Sequence, residues 1–153
     1  MDSFDARIIR ELERDARLSW VKLAGRVNLS ASACQRRVES MQSRGLIERF
    51  TVRLNESAMG YSVKAFVTVR IDRQDPSTAQ EFRRWVAHNP RVQTCHMLSG
   101  ADDFMLEVVA QDLESFGHFL DGELLSLPAV KDASSSIVLG KVKSRETAVA
   151  QRG

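Results

Sequence analysis

The stretch that decides the fold is Ser19–Gly45, which reads SWVKLAGRVNLSASACQRRVESMQSRG. Its apolar residues recur at helical spacing in two blocks, and each block follows a serine, Ser19 or Ser30, of the kind that caps helices. Asn28 lies between the blocks and is a polar residue that lets a chain leave a helix. The stretch therefore predicts two short helices joined by a tight turn, with Gly45 ending the second.

A further helix is predicted upstream of this stretch. Phe4, Ile8 and Leu12 keep helical spacing, so the helix should begin at residues 3–5 and end at residues 15–17. Each of the two later helices should bury one apolar stripe. The residues expected in those stripes are Trp20, Leu23, Ala24 and Val27 in the first, and Cys34, Val38 and Met41 in the second.

These three helices are assigned to residues 1–50 as a helix-turn-helix, winged-helix-like domain. After the last of them, apolar and polar residues alternate roughly over Leu46–Leu54, which predicts a strand that leaves the helical domain. Residues 51–61 are interpreted as a linker strand or hinge. Residues 62–153 are interpreted as a second domain.

The second domain has strand and helix patterns in the order strand, helix, strand, strand, helix, strand. This βαββαβ order is that of ferredoxin-like domains, in which two helices cover one face of a four-stranded antiparallel sheet, so the chain is expected to be α+β. The four predicted strands are Ala65–Ile71, Val92–Leu98, Phe104–Ala110 and Ala129–Val142. The first predicted helix has Asp75 as its cap and Pro76 as its first residue, and it ends at Asn89–Pro90. The second predicted helix has Asp112 as its cap and ends at Pro128, and its apolar stripe is Leu113, Phe116, Leu120, Leu124 and Leu127.

The opposite face of that sheet has no covering element in the predicted fold. An open sheet face with apolar side chains needs a cover, and a second copy of the chain is the economical one. The protein is therefore expected to be a homo-oligomer. A dimer is the minimum, and tetramers and octamers are compatible with the same local signals.

Composition and charge limit the classes of protein to which the chain can belong. The chain has 153 residues, of which 43% are hydrophobic and 27% charged, so fibrous and disordered classes are excluded. No apolar run approaches the length of a membrane span, and the amino terminus lacks the pattern of a secretory leader, which favours the cytoplasm. The net charge of +2 is uneven, because Met1–Arg53 has 11 Lys and Arg against 7 Asp and Glu. A basic first domain suggests a polyanionic partner.

Double-stranded DNA is the partner that a helix-turn-helix predicts. The third helix would enter the major groove, where Gln can pair with adenine and Arg with guanine. The pattern alone is also compatible with a merely solvated helix face. The residues expected near bases are Ser30, Ser32, Gln35 and Arg36, and those expected nearer phosphates are Arg37, Arg49 and Lys22.

An ordered series of residues resembles the Lrp/AsnC family of bacterial and archaeal transcription regulators over nearly the whole chain. No single position is specific, but their order and spacing together match the family. In the first domain the match rests on Asp5, Ile8, Leu12 to Arg17, Leu23, Ala24, Leu29, Ser30, Cys34, Arg37, Val38, Gly45 and Ile47, and in the second on Cys95, His96, Ser99, Gly100, Asp103, Phe104, Leu106, Leu127, Pro128 and Val130.

The resemblance implies that the second domain dimerises and binds a small molecule, usually an amino acid, between subunits. In its relatives this loop commonly has the form Gly-acid-x-Asp-aromatic, which Gly100, Asp103 and Phe104 match here. Ala101 replaces the first acid, and Asp102 follows one position later. A polar hairpin turn is the alternative interpretation of this loop. Ser134 and Ser136 on the last strand are further candidates for the effector site, or else belong to a solvated edge.

Metal and catalytic motifs are not recognisable in the sequence. His88, His96 and His118 fall in separate predicted elements, so no metal site and no cofactor beyond an amino-acid effector are expected. No nucleophile and base motif or phosphate-binding glycine loop occurs, which argues against an enzyme. The alternative function is a ferredoxin-like small-molecule-binding or enzymatic domain whose helical part serves assembly, because that fold hosts many activities.

Overall fold

A computed structural model describes residues 1–72 and 76–143 of the chain. The helices are α1 (Ser3–Arg14), α2 (Trp20–Val27), α3 (Ala31–Ser43), α4 (Pro76–His88) and α5 (Leu113–His118), and the strands are β1 (Val63–Ile71), β2 (Val92–Met97), β3 (Phe104–Ala110) and β4 (Val130–Ile137). A 3-10 turn occupies Ser57–Met59. The chain separates into two compact units, one built on Met1–Arg53 and the other on Leu54–Gly140.

The first unit is a three-helix domain. Its core contains the predicted stripes except for one residue: Trp20, at the first position of α2, is 38% exposed. Ile8 of α1 and Met41 of α3 are fully buried in this core. The helix-turn-helix prediction is confirmed.

No strand forms between α3 and β1 in the described chain, so the strand predicted at Leu46–Leu54 is wrong. Phe50 and Val52 are exposed, and no described strand pairs with this segment. Alternation alone does not make a strand, because a strand needs a hydrogen-bonding neighbour. The linker strand predicted within residues 51–61 is absent for the same reason, and the 3-10 turn lies there instead.

The second unit is a four-stranded antiparallel sheet in the order β2-β3-β1-β4, which confirms the ferredoxin-like prediction. Alternate residues of β1, from Val63 to Ile71, are buried, and the residues between them point to the other face. The core on the helical side includes Phe82 of α4 together with Phe116 and Phe119. No described helix is long and apolar enough to cross a membrane.

The helical region after Asp112 buries a different set of residues from the predicted apolar stripe. After α5 the chain continues as one π-helical turn, Phe119–Leu124, whose first and last residues are fully buried. The five-residue spacing of this turn brings both Phe119 and Leu124 into the core. Leu113, which was also predicted in the stripe, is 63% exposed. The Asp112 cap is confirmed, since its carboxylate accepts a hydrogen bond from the Ser115 N–H at 2.7 Å.

The last strand is shorter than the predicted Ala129–Val142. It ends at Ile137, which pairs with Ala65, and the Val138 N–H still reaches the Lys64 carbonyl at 2.8 Å. The ladder then stops because β1 itself begins at Val63. The Asp75 cap predicted for α4 lies outside the described residues.

Candidate functional site

The turn between α2 and α3 is built from local hydrogen bonds. Asn28 has the left-handed conformation, with φ 55° and ψ 50°, and its N–H donates to the Ala24 carbonyl. Ser30 begins α3 as its cap, because its hydroxyl accepts a hydrogen bond from the Ala33 N–H at 3.1 Å. An asparagine tolerates the left-handed conformation better than most residues, and the turn depends on it. The two caps fix the start of α3.

Four of the residues expected near bases lie together at the start of α3. Ser32, Gln35 and Arg36 are exposed, while Cys34 points into the core. The hydroxyls of Ser30 and Ser32 are 3.2 Å apart. The Gln35 amide donates to the Glu39 carboxylate at 2.9 Å, which orients it along the helix. This exposed surface, formed by Ser30, Ser32, Gln35 and Arg36, is called the reading face below.

Arg37 is turned away from the reading face and binds α1. Its Nη1 donates to Asp2 at 2.7 Å and to Asp5 at 2.8 Å, and its guanidinium lies 5.4 Å from the centre of the Phe4 ring. The hydrogen bonds that Arg37 donates to both carboxylates raise its pKa. Arg44, the C-cap residue of α3 about two helical turns further on, is 3.5 Å from Asp5. Two arginines of α3 therefore converge on one buried carboxylate.

The residues Asp2 and Asp5 were missed as partners by the sequence analysis. They form a reciprocal cap at the start of α1, in which the Asp5 N–H donates to Asp2 at 2.8 Å. This backbone hydrogen bond, together with Arg37, lowers the pKa of Asp2. The signal that could have found the cap is the acid pair at three-residue spacing before an apolar run. Nothing in the local sequence indicates the distant arginine.

The two remaining basic candidates lie apart from the reading face. Lys22 is exposed in the first turn of α2, where its N–H donates to the Ser19 hydroxyl at 3.3 Å. Arg49 is exposed in the irregular segment after α3. The structure therefore gathers the base-reading candidates on α3 and leaves Lys22 and Arg49 on other segments.

The predicted effector loop joins β2 to β3, and Asp103 anchors it. The Asp103 side chain is buried and accepts a hydrogen bond from the Ile71 N–H at 2.9 Å, while its own N–H donates to the Val69 carbonyl at 2.9 Å. Gly100 has φ +155°, a conformation that side chains disfavour. Asp103 thus connects the loop to the end of β1.

A charged cluster lies beside this loop on the open face of the sheet. The Arg70 guanidinium binds Asp132 of β4 and has its Nε 3.9 Å from the Asp102 carboxylate. The hydrogen bond from Arg70 lowers the pKa of Asp132. Ser134 and Ser136 are exposed on the same face, paired with Thr68 and Phe66 of β1. Given the strand rise, they lie about 7 Å and 13 Å along β4 from Asp132.

The described residues contain no group of three or more metal-ligating side chains. Cys34 is buried and Cys95 half-buried, and burial raises the pKa of both thiols. A thiol of raised pKa is a poor nucleophile, so packing is the role that the geometry supports.

Both units match family models. Residues 1–42 match the AsnC-type helix-turn-helix domain, and residues 64–148 match the Lrp/AsnC ligand binding domain. Among curated proteins, the leucine-responsive regulatory protein of Rhizobium meliloti is 36% identical over 143 residues, which cover 94% of this chain and 92% of the relative. The transcriptional regulator AzlB of Bacillus subtilis is 33% identical, with 94% and 91% covered.

Solved structures agree with the family models. A transcriptional regulator from Neisseria meningitidis, solved as a complex with L-methionine, superposes with a TM-score of 0.89 at 33% identity and covers 94% of this chain and 93% of its own. The feast or famine regulatory protein from M. tuberculosis, also complexed with L-methionine, gives a TM-score of 0.82 at 29% identity, with 94% and 95% covered. These matches confirm the resemblance found in the sequence. The chain belongs to the Lrp/AsnC family of transcriptional regulators.

Proposed function

We propose that this regulator binds specific DNA sites through the reading face of α3, and that an amino acid modulates the binding or the assembly. The observation that carries the proposal is the arrangement of Ser32, Gln35 and Arg36, all exposed on one capped helix that follows a tight left-handed turn. Such a helix start fits the major groove, where its exposed N–H groups and side chains meet phosphates and base edges.

Arg36 is the side chain best suited to read a base. It is exposed, and it forms no ion pair with the residues that the structure describes. An unengaged guanidinium can donate two hydrogen bonds to the O6 and N7 atoms of guanine. Gln35 would add an amide for adenine after it releases Glu39. We assign these two side chains the main part in sequence recognition, with Ser30 and Ser32 beside them.

Lys22, Arg37 and Arg49 are assigned to the phosphate backbone. Lys22 is exposed in the first turn of α2, and the irregular segment after α3 presents Arg49. Arg37 uses Nη1 for the two carboxylates of α1, so only its other N–H groups are left for a phosphate. Its main task in this proposal is to hold α3 in place for the two neighbours that read bases.

A homo-oligomer completes the proposal. Two recognition helices of a dimer would meet half-sites about one helical turn of DNA apart. Phe66 is 40% exposed on the open sheet face, which favours a second copy as its cover. The cytoplasm, where bacterial DNA is accessible, is the proposed location, and the proposed activity includes no catalytic step.

The effector is proposed to be an α-amino acid bound at the loop of Gly100, Asp102 and Asp103 and at the neighbouring strand β4. An ammonium group complements the Asp102 carboxylate, and a carboxylate complements the Arg70 guanidinium, so the cluster offers both charges of an amino acid. Ser134 lies next along the strand and Ser136 beyond it. Two similar proteins were solved with L-methionine, which supports this ligand class. Binding would shift the relative placement of the recognition helices.

The test is selection of fragmented genomic DNA by the purified protein, followed by sequencing, with and without a pool of amino acids. We expect a pseudo-palindromic site whose enrichment one amino acid alters. Absence of any enriched site would contradict the proposal and favour the alternative of a small-molecule-binding or enzymatic domain with a helical assembly module. A site that no amino acid affects would contradict only the proposed effector.

A further inference from the structure

A cleft rich in arginine lies between α1 and α2, away from the reading face. It measures about 230 Å³ and is named the arginine cleft here. Its lining residues are Arg7, Arg10, Glu11, Arg14, Arg26 and Val27.

The charges in the arginine cleft are not balanced. Glu11 accepts hydrogen bonds from Arg26 at 2.8 Å and from Arg14 at 3.3 Å, so its one carboxylate serves two guanidinium groups. Arg7 and Arg10 form no ion pair with residues 1–72 or 76–143. Four guanidinium groups and one carboxylate leave a net charge of +3. Like charges at this density repel each other, and an anion in the cleft would relieve the repulsion.

Arg7 is held in position without an acidic partner. Its guanidinium stacks over the Phe4 ring, 4.6 Å from the ring centre, and its Nε is buried without a hydrogen-bond partner among the described residues. Stacking on an aromatic ring fixes the plane of a guanidinium and leaves its outer N–H groups open. Arg7 is therefore oriented in advance for a planar, forked contact of the kind that phosphate oxygens accept.

The cleft continues a basic row that reaches the proposed DNA contact. Arg7, Arg10 and Arg14 are spaced by three and four residues, so they share one flank of α1, whereas Asp5 lies on another flank and binds α3. On α2, Arg26 follows Lys22 by four residues and shares its flank. The row thus extends from Lys22, assigned above to a phosphate, along α2 to the arginine cleft.

We infer that the arginine cleft binds backbone phosphates of the DNA outside the base pairs that α3 reads. The inference rests on the proposed function, because it needs a duplex already held by the reading face. The guanidinium groups of Arg7 and Arg10, which Glu11 does not bind, match phosphate oxygens, and a backbone contact carries no sequence information. The cleft would therefore add affinity for flanking DNA while leaving the choice of site to Gln35 and Arg36.

The experiment measures binding to duplexes that contain the selected site with short or long flanks, over a range of salt concentrations. In the double variant Arg7→Gln/Arg10→Gln we expect the slope of log K against log salt to fall by about 1.8, which is the release of counterions from two phosphates. Affinity for the long duplex should drop roughly 10-fold at moderate salt, and the ratio between specific and unrelated duplexes should stay constant. The double variant should lose the advantage that long flanks give the wild type.

Three comparisons make the result decisive. Arg7→Lys/Arg10→Lys keeps the charge and should restore most of the salt slope, which separates charge from fold. Arg83→Gln/Arg84→Gln removes two arginines of α4 and should leave the slope unchanged.

If the wild type binds no site at all, the proposed function fails. If the wild type binds its site but the Arg7→Gln/Arg10→Gln variant has the wild-type salt slope, the inference about the arginine cleft alone is overturned. The same inference is overturned if that variant changes only self-association.

Discussion

The Asp5 carboxylate and the Arg37 guanidinium are 2.8 Å apart, although 32 positions of sequence separate the two residues. Asp5 is almost completely buried, and it is the point where α1 holds the recognition helix. Asp5→Ala should lower the free energy of unfolding by about 1–3 kcal/mol, because Arg37 and Arg44 lose the buried acceptor that they share. Chemical denaturation measures this loss. Glu48→Ala removes an exposed carboxylate of the same unit and should change stability by less than about 0.5 kcal/mol.

Arg36 is expected to determine recognition of one base pair. Arg36→Ala should weaken binding to the selected site by about 1–3 kcal/mol and relax the preference at a single position. Fluorescence anisotropy with a panel of DNA sites, each with one substituted base pair, measures both the loss of affinity and the change in base preference. An unchanged preference at every position would remove Arg36 from the reading face.

Lys22 is expected to act without regard to sequence. Lys22→Gln should weaken binding to specific and unrelated duplexes by the same factor and lower the salt slope by about 1. Salt titration of both duplexes measures this effect. A selective loss for the specific duplex would instead mean that Lys22 touches a base.

Two substitutions of Asp103 in the effector loop separate the loss of its charge from the loss of its hydrogen bond to β1. Asp103→Asn keeps an oxygen that accepts the Ile71 N–H, so the loop should stay attached to β1 while the charge is lost. Asp103→Ala loses both the accepting oxygen and the charge. We expect both variants to lose the response to the amino acid that alters site selection, but only Asp103→Ala should also lower the midpoint of thermal unfolding. Calorimetric titration and thermal denaturation supply the two measurements, and DNA binding without effector is the control.

Asp112 makes the second unit sensitive to acid. Hydrogen bonds from the Ser115 side chain and N–H lower the pKa of Asp112 in the folded state below its usual 3.8. A lowered pKa stabilises the fold above the unfolded value, and that contribution is lost as the pH falls through the folded value. Asp112→Asn should therefore have a lower unfolding midpoint than wild type at pH 6, and the gap should shrink below about pH 4. A gap that stays constant down to pH 2.5 would contradict this assignment.

Local signals were sufficient for the helical domain. Ser19, Asn28 and Ser30 act within three or four residues of their own positions, so their types alone predict the caps and the turn. Periodicity also predicts the buried residues Val38 and Met41 of α3. Trp20 was misassigned because a residue at the first position of a short helix can leave its stripe without breaking the pattern.

Long-range pairing was not predictable from a single sequence. Asp103 looks like a loop residue, and only the fold shows that it binds Ile71, 32 positions earlier. The alternation in Leu46–Leu54 resembled a strand because a pattern does not reveal whether a neighbouring strand exists. Phe119 was missed because the helical period was assumed to stay constant through the end of α5.

The π-helical turn at Phe119–Leu124 has a consequence for insertion and deletion. It contains one residue more than an α-helical turn needs between its two buried ends, and nothing lies within 4 Å of the position that a Cβ on Gly122 would occupy. Removal of Gly122 would bring Phe119 and Leu124 to a four-residue spacing, at which both can still face the core along an ordinary helix. The chain should therefore accept a one-residue deletion at this point, whereas a deletion inside β1 would turn its buried residues to the opposite face.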